Sequence, residues 1–257
     1  MTAPFPTGFD WLPDGTVLLG EYGSRAHGTD NPESDRDFHA ICVEPPRFVT
    51  GLERFENIRH NTAGSGRSAA DDLDTVVYGL RNWAAVAATG NPNSYVLLHL
   101  PKYEYVSDIG QMLLDNRHLF VSKQAASKYI GYLDSQVQAM LGNRGARVQR
   151  PHLIERFGWD VKFGYHAVRV GLQGLQLMRK GRLTLPFEGE DLEALLGIRE
   201  GRFTRDDVVG MANGLIVHIR AAAAASKFVP DKPDYDKIHT LLHDMYEASW
   251  ASASQDR

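Results

Sequence analysis

One cysteine, Cys42, occurs in 257 residues. No disulfide can form within the chain, and a lone thiol inside an apolar run is most simply a small core residue. A reducing cytoplasm fits that usage. No stretch reads as the ~20 consecutive apolar residues of a membrane span. The opening MTAPFPTGFDWLPDG has no basic region followed by a long apolar run, so a soluble, unprocessed chain with no membrane contact is expected. Excess positive charge is also missing: 28 Lys and Arg against 32 Asp and Glu leave a net charge of -4. That balance argues against a broad, sequence-independent grip on nucleic acid by the whole surface. Internal repeats are absent. What remains is ordinary globular composition, 43% hydrophobic and 23% charged, in a length that suits one large domain or two small ones.

The most informative stretch is residues 17–43, VLLGEYGSRAHGTDNPESDRDFHAICV. Val17 to Gly20 read as a strand and Gly23-Ser24 as a turn. A polar loop follows, in which Asn31-Pro32 disfavours helix, and this loop is placed to drape over a ligand. A second apolar run then opens on Asp35 and Asp37. Side chains two apart on a strand share a face, about 6.6 Å apart at roughly 3.3 Å per residue. Two carboxylates so placed can converge on divalent cations. A pair of such ions, roughly 3.5–4 Å apart, activates an attacking oxygen and stabilises a leaving one in in-line phosphoryl transfer. Mg²⁺, or Mn²⁺ in its place, suits an oxygen set built from carboxylates and substrate phosphates. Gly23 lets backbone amides approach a ligand closely. Ser24 can add a hydroxyl to the phosphates, cap the turn that follows, or do both. SDRD alone is also a solvated turn, and GS is a common dipeptide; their order, spacing and apolar flanks favour a metal–nucleotide site. The pattern of a strand, GS, about ten residues and then DxD resembles the signature of nucleotidyltransferases with the DNA polymerase beta fold.

Upstream, residues 1–15 read as an irregular lead-in ending at the Pro13-Asp14-Gly15 turn, with Trp11 packed on the first strand. Downstream, Pro45-Pro46 ends regular pairing. Residues 47–70, with GSG at 64–66, form a connection that holds a short strand around Phe55 to Arg59. The cluster Asp71-Asp72-Leu73-Asp74 then precedes TVVYGL. On a strand, Asp72 and Asp74 share a face and either could supply a third carboxylate; Asp74 abuts the apolar run and is preferred. Alternatively Asp74 caps a helix from Thr75. Val76, Leu80, Trp83, Ala84 and Ala87 recur at helical spacing across 75–89. Gly90 to Asn93 break that helix, and a short one follows over 94–100. The string DTVVYGLRNWAAVAATGNPNSYVLLHL is similar to a segment of one branch of the superfamily, the RNA repair pathway nucleotidyltransferases known as RlaP-like proteins. In that branch an Asp opens the segment and a GNPN turn precedes an apolar helix, here Asp74 and Gly90 to Asn93.

Beyond residue 105 helical periodicity dominates, over 107–119, 122–141, 151–181, 188–197, 204–228 and 234–251. The expected domains are therefore 1–105, catalytic, and 106–257, helical. Within WDVKFGYHAVRV, Lys162, His166 and Arg169 fall on one helical face, where they can neutralise a triphosphate or a leaving pyrophosphate. Read alone, the same face is solvated; its KxxxHxxR pattern also resembles the helical half of RlaP-like proteins, as do LPFEGEDLEALLGIREGRF and VPDKPDYDKIHTLLHDMY. Arg144, Arg147, Arg150 and Arg156 either guide a polynucleotide or are ordinary surface.

The resemblance implies an α/β protein: a polymerase-beta-like nucleotidyltransferase domain with a small mixed sheet, then an all-helical domain completing the substrate cleft. Asp35, Asp37 and Asp74 would hold two Mg²⁺ ions. Gly23, Ser24, Arg25, Lys162, His166 and Arg169 would bind the phosphates of a nucleoside triphosphate. The acceptor is expected to be an RNA or other nucleic-acid end, a protein hydroxyl or a small molecule. The rival expectation is a catalytically silent nucleotide-binding, regulatory or interaction module.

Overall fold

The computed structural model describes residues 5, 8–32, 34–61, 73–144 and 150–255. The GSG at 64–66, Asp71, Asp72 and Arg147 lie outside them. In chain order the elements are α1 (Leu12–Gly15), β1 (Thr16–Glu21), α2 (Gly23–His27), β2 (Arg36–Cys42), α3 (Pro46–Val49), β3 (Asn57–Asn61) and β4 (Leu73–Gly79). Then come α4 (Leu80–Ala88), α5 (Pro92–Leu97), β5 (Tyr105–Val106), α6 (Asp108–Asp115) and a 3₁₀ turn at Arg117–Phe120. The remainder is α7 (Gln124–Met140), α8 (Pro151–Phe157), α9 (Val161–Lys180), α10 (Gly189–Arg199), α11 (Arg205–Ala225) and α12 (Tyr235–Gln255). The five strands form one sheet in the order β3-β4-β2-β1-β5. β2 and β4 run parallel, and every other pair is antiparallel. The protein is thus α/β with a small mixed sheet and a helical C-terminal part, as its sequence leads one to expect.

Three local expectations change. The helix expected from residue 75 begins at Leu80, because Thr75 to Tyr78 are β-branched or aromatic and sit on a strand with partners on both sides. Val76 therefore belongs to the sheet, while Trp83, Ala84 and Ala87 do form the buried face of α4. The helix expected over 151–181 is two. Gly158 leaves α8 at φ +80°, and the Asp160 side chain caps α9 by accepting from the Lys162 N–H at 3.1 Å. Finally, α11 is long and apolar enough, by length and composition, to cross a membrane, a stretch the sequence reading does not single out. Its start carries a capping box, Thr204 with Asp207, and Val208, Ala212, Leu215 and Ile219 form its buried side.

Contacts divide the chain into two compact units that interleave along it, where the sequence reading draws one cut after 105. The first contains residues 1–88, 93–120 and 233–257; the second, 89–92 and 121–232. The second is a helical unit centred on α9, with Gly171 close-packed between Leu133 of α7 and Leu215 of α11.

In the first unit, one sheet face presents Leu19, Phe38, Ala40, Cys42 and Val77 to Leu12, Phe48 and Phe55. Trp11 closes that cluster, with ring centroids 5.0 Å from Phe55 and 5.3 Å from Phe48. Beyond the end of β2, the chain places a carboxyl, Glu44, at 2% exposure. Its Oε2 accepts from the Leu80 N–H at 3.0 Å and from the Tyr246 hydroxyl at 2.5 Å. Its carbonyl accepts from the Trp250 indole at 2.9 Å. One residue thus starts α4 and fastens α12.

Burial pushes the Glu44 carboxyl above the usual range, and the hydrogen bonds from Tyr246 and the backbone only partly oppose that. Folding therefore favours its protonated form. The stability it contributes is complete below the ordinary carboxyl value and falls as pH rises through the raised one. Glu44→Gln should keep an acceptor for both donors and lose this part of the pH dependence in urea titrations. Glu44→Leu should cost roughly 1–3 kcal/mol for each donor left unpaired.

Candidate active site

The parallel ladder sets the site. Asp37 of β2 is the register partner of Asp74 of β4, His39 of Val76, and Ile41 of Tyr78. Paired residues on neighbouring strands face the same way, so Asp37 and Asp74 stand side by side, roughly 4.8 Å apart between strands. Asp35, immediately before β2, has the same parity. Asp74 is the second residue of a strand and not the cap of a helix.

Gly23 and Asp37 are built against one another. Gly23 enters α2 at φ +64°, in the left-handed region, and a Cβ there would coincide with the Asp37 carboxylate. The Tyr22 N–H donates to the Asp37 carbonyl at 2.7 Å. Ser24 lies inside α2, whose cap residue is Tyr22, and its carbonyl accepts from the Thr29 N–H at 3.0 Å. The His27 imidazole nitrogen meets the Gly23 carbonyl and closes the turn. Arg25 pairs with Glu21 at 3.3 Å and with Asp30 at 3.9 Å. Glu21 also accepts from Arg36 at 2.9 Å.

Behind the carboxylates, the Tyr22 ring stacks on His39 with centroids 3.8 Å apart, and Tyr78 approaches His39 edge-on at 5.7 Å. Burial, then the nearby Arg59 charge, push the His39 imidazole down to about 3. It is neutral at physiological pH, so it adds no positive charge beside the carboxylates.

The donor set is all oxygen, as a hard divalent cation requires. Oδ1 of Asp74 is shielded from solvent and receives no hydrogen bond, an orphaned acceptor that a cation would satisfy. Among the described residues its ionic neighbour is Arg59, with Nε at 3.5 Å. Among the described residues no three His, Cys, Asp or Glu side chains are grouped closely enough to hold an ion. The ladder brings two oxygen donors, Asp37 and Asp74, side by side, a donor chemistry that suits a hard cation.

The cations expected on a helix lie in the second unit. On α9, Lys162 is exposed, His166 half-buried and Arg169 buried. The Arg169 and Arg199 guanidinium carbons lie 5.8 and 5.4 Å from the centroid of the Tyr165 ring. Arg150 pairs with the buried Asp160 at 3.0 Å and stacks on Phe163, so its charge is engaged within the fold. Arg156 stacks on the neighbouring Phe157 ring, and Arg144 is exposed. Tyr22, His39, Arg59 and Tyr78 border the carboxylates without having been singled out in the sequence. Their alternation with Asp37 and Asp74 was the available signal for His39 and Tyr78; nothing in residues 57–61 marks Arg59.

Comparison with known proteins adds three findings. The sequence profile of the RNA repair pathway DNA polymerase beta family, RlaP, matches residues 13–244. An uncharacterized 38.9 kDa protein from the nrdC-mobD intergenic region of Enterobacteria phage T4 is 33% identical over 138 residues, 52% of this chain and 40% of that protein. The chain thus matches less than half the length of that relative. A crystal structure of a nucleotidyltransferase-like protein from Exiguobacterium sibiricum 255-15 aligns with 95% of this chain and 75% of its own, at 12% identity and a TM-score of 0.31.

The Gly23–Asp37 contact predicts that Gly23→Ala displaces the carboxylate as well as straining the backbone. Thermal melts should show a larger loss than for Gly158→Ala, where φ is +80° and a Cβ meets nothing within 4 Å. The latter should cost only the left-handed penalty of roughly 1–2 kcal/mol.

Proposed function

The chain belongs to the RNA repair pathway DNA polymerase beta family, and from that premise we propose that it transfers a nucleoside monophosphate from a nucleoside triphosphate to an acceptor hydroxyl, releasing pyrophosphate. The observation that carries this reading is the register of Asp37 with Asp74, with Gly23 seated against Asp37.

In this reading Asp35, Asp37 and Asp74 hold Mg²⁺ or Mn²⁺. When bound, two such ions supply activation of the attacking oxygen and charge stabilisation for the leaving one. The acceptor hydroxyl attacks the α-phosphorus; the new bond is acceptor oxygen to phosphorus, and the bond broken joins the α-phosphorus to the bridging oxygen. Asp74 accepts the hydroxyl proton, since its Oδ1 has an unused lone pair. Gly23 and Ser24 offer backbone and hydroxyl donors to the β and γ phosphates. Arg25 offsets the charge of the triphosphate and the departing pyrophosphate; for Lys162, His166 and Arg169 of the helical unit, the family resemblance alone supports a phosphate-binding role.

The acceptor is a nucleic-acid 3′ end, a protein hydroxyl or a small molecule. Family membership supports the first, and the net charge of -4 weighs against a grip spread over the whole surface.

The test is incubation with each α-³²P nucleoside triphosphate and Mg²⁺, with RNA, DNA or lysate as acceptor source. Label should move to one acceptor class, and Asp37→Asn should reduce transfer to background while the far-ultraviolet circular dichroism stays unchanged. Asp74→Asn should slow transfer by roughly 10²–10⁴-fold, the size of a general-base contribution. Triphosphate binding without transfer to any acceptor would favour the silent regulatory module, and absence of binding would end the nucleotide reading. Lys162→Ala, which removes an exposed cation, should raise KM for the triphosphate more than it lowers kcat.

A further inference from the structure

We propose that Arg59 is a positioning residue that holds Asp74 in reserve, occupying its carboxylate until a divalent cation displaces the guanidinium. The inference rests on the metal-dependent reading of the carboxylate site.

Arg59 reaches the site from the sheet edge. β3 pairs with β4 so that Asn61 faces Asp74 and Arg59 faces Val76. Because Asp74 and Val76 share parity, Arg59 projects on the carboxylate side, one pair along from Asp74. Its Nε lies 3.5 Å from Asp74 Oδ1. That oxygen receives no hydrogen bond, so the contact is a charge pairing without the directional bond that would fix it.

The two partners are unequally placed. The Arg59 side chain is 69% exposed, whereas that of Asp74 is 25% exposed. If the pair opens, the guanidinium gains water, while the carboxylate oxygen facing inward does not. Arg59 can therefore leave at little cost once another cation takes its place, as expected for an exposed ion pair.

Asp37 and Asp74, side by side in the parallel ladder, repel one another in the absence of a cation. A resident guanidinium relieves that repulsion. While Arg59 occupies Asp74, no three-ligand group forms among the described residues. A doubly charged ion outcompetes the single charge of Arg59, and the exchange releases Asp74 to join its neighbours.

The experiment is calorimetric titration of the full chain with Mn²⁺ alone, without nucleotide, for the unmodified protein and for R59A, R59K, D74N and R59A/D74N. Thermal melts with and without Mn²⁺ accompany it. R59A should bind Mn²⁺ about three- to fivefold more tightly, the range expected from removing one exposed competing charge. Its melting temperature should be lower without Mn²⁺ and rise more on adding it. R59K should stay within about twofold of the unmodified protein, because the competing charge is kept. In the D74N background the Arg59 effect should vanish. Weaker or unchanged Mn²⁺ binding by R59A would overturn the proposal, since a merely structural arginine gives that result. An R59A effect that survives D74N would overturn it as well, by removing Asp74 from the exchange. If the unmodified protein binds no Mn²⁺, the metal-dependent reading fails and takes this inference with it. If it binds Mn²⁺ but R59A does not tighten binding, only the role of Arg59 fails.

Discussion

The parallel pairing of β2 with β4 is the constraint on which the site depends. Side chains alternate across a sheet, so slipping that ladder by one residue would send Asp74 to the apolar face and bring Leu73 or Thr75 beside Asp37. Register is held from the opposite side, where Phe38, Ala40, Cys42 and Val77 are buried with Phe48 and Phe55. The chemistry on one face is thus specified by packing on the other. The same logic explains why a cluster as acidic as Asp35, Asp37 and Asp74 can sit at a strand end: burial of alternate residues stabilises an arrangement that charge alone would oppose.

How much of this can be read from residues depends on how local the geometry is. The relation of Asp35 to Asp37 follows from a two-residue offset, and that of Gly23 to Ser24 from adjacency, so both were legible. Asp74 was legible as a candidate, but its place beside Asp37 depends on a parallel ladder between segments far apart in sequence. The ambiguity between strand and helix cap at Asp74 arose because Val76 and Leu80 also satisfy helical spacing, and sheet pairing overrode it. Arg59 illustrates the limit. An arginine in a short polar strand has no distinguishing pattern, and its approach to Asp74 follows from the register of an edge strand.

Electrostatics divide the first unit into regions of different character. At one end of β2 the carboxylates keep partial solvent access, and their neighbours include the mobile charge of an exposed arginine. Past the other end, Glu44 is enclosed, and its Oε2 accepts two hydrogen bonds. Acidic side chains a few residues apart therefore sit in opposite surroundings: one group is partly open to solvent, while the other trades desolvation for fixed geometry. The neutral, stacked His39 lies between the two.

The interleaved order of the units has a consequence for how the protein is made. Residues 1–120 leave the ribosome before residues 121–232, the bulk of the helical unit, and α12 follows; it covers Glu44 and buries Ile238, Leu241, Met245 and Tyr246. Domains generally form as units during synthesis. The helical unit can therefore close before α12 is made, while the Glu44 carboxyl still lacks the Tyr246 hydroxyl and its carbonyl the Trp250 indole. The unit that carries the carboxylates is thus begun before the helical unit and completed after it.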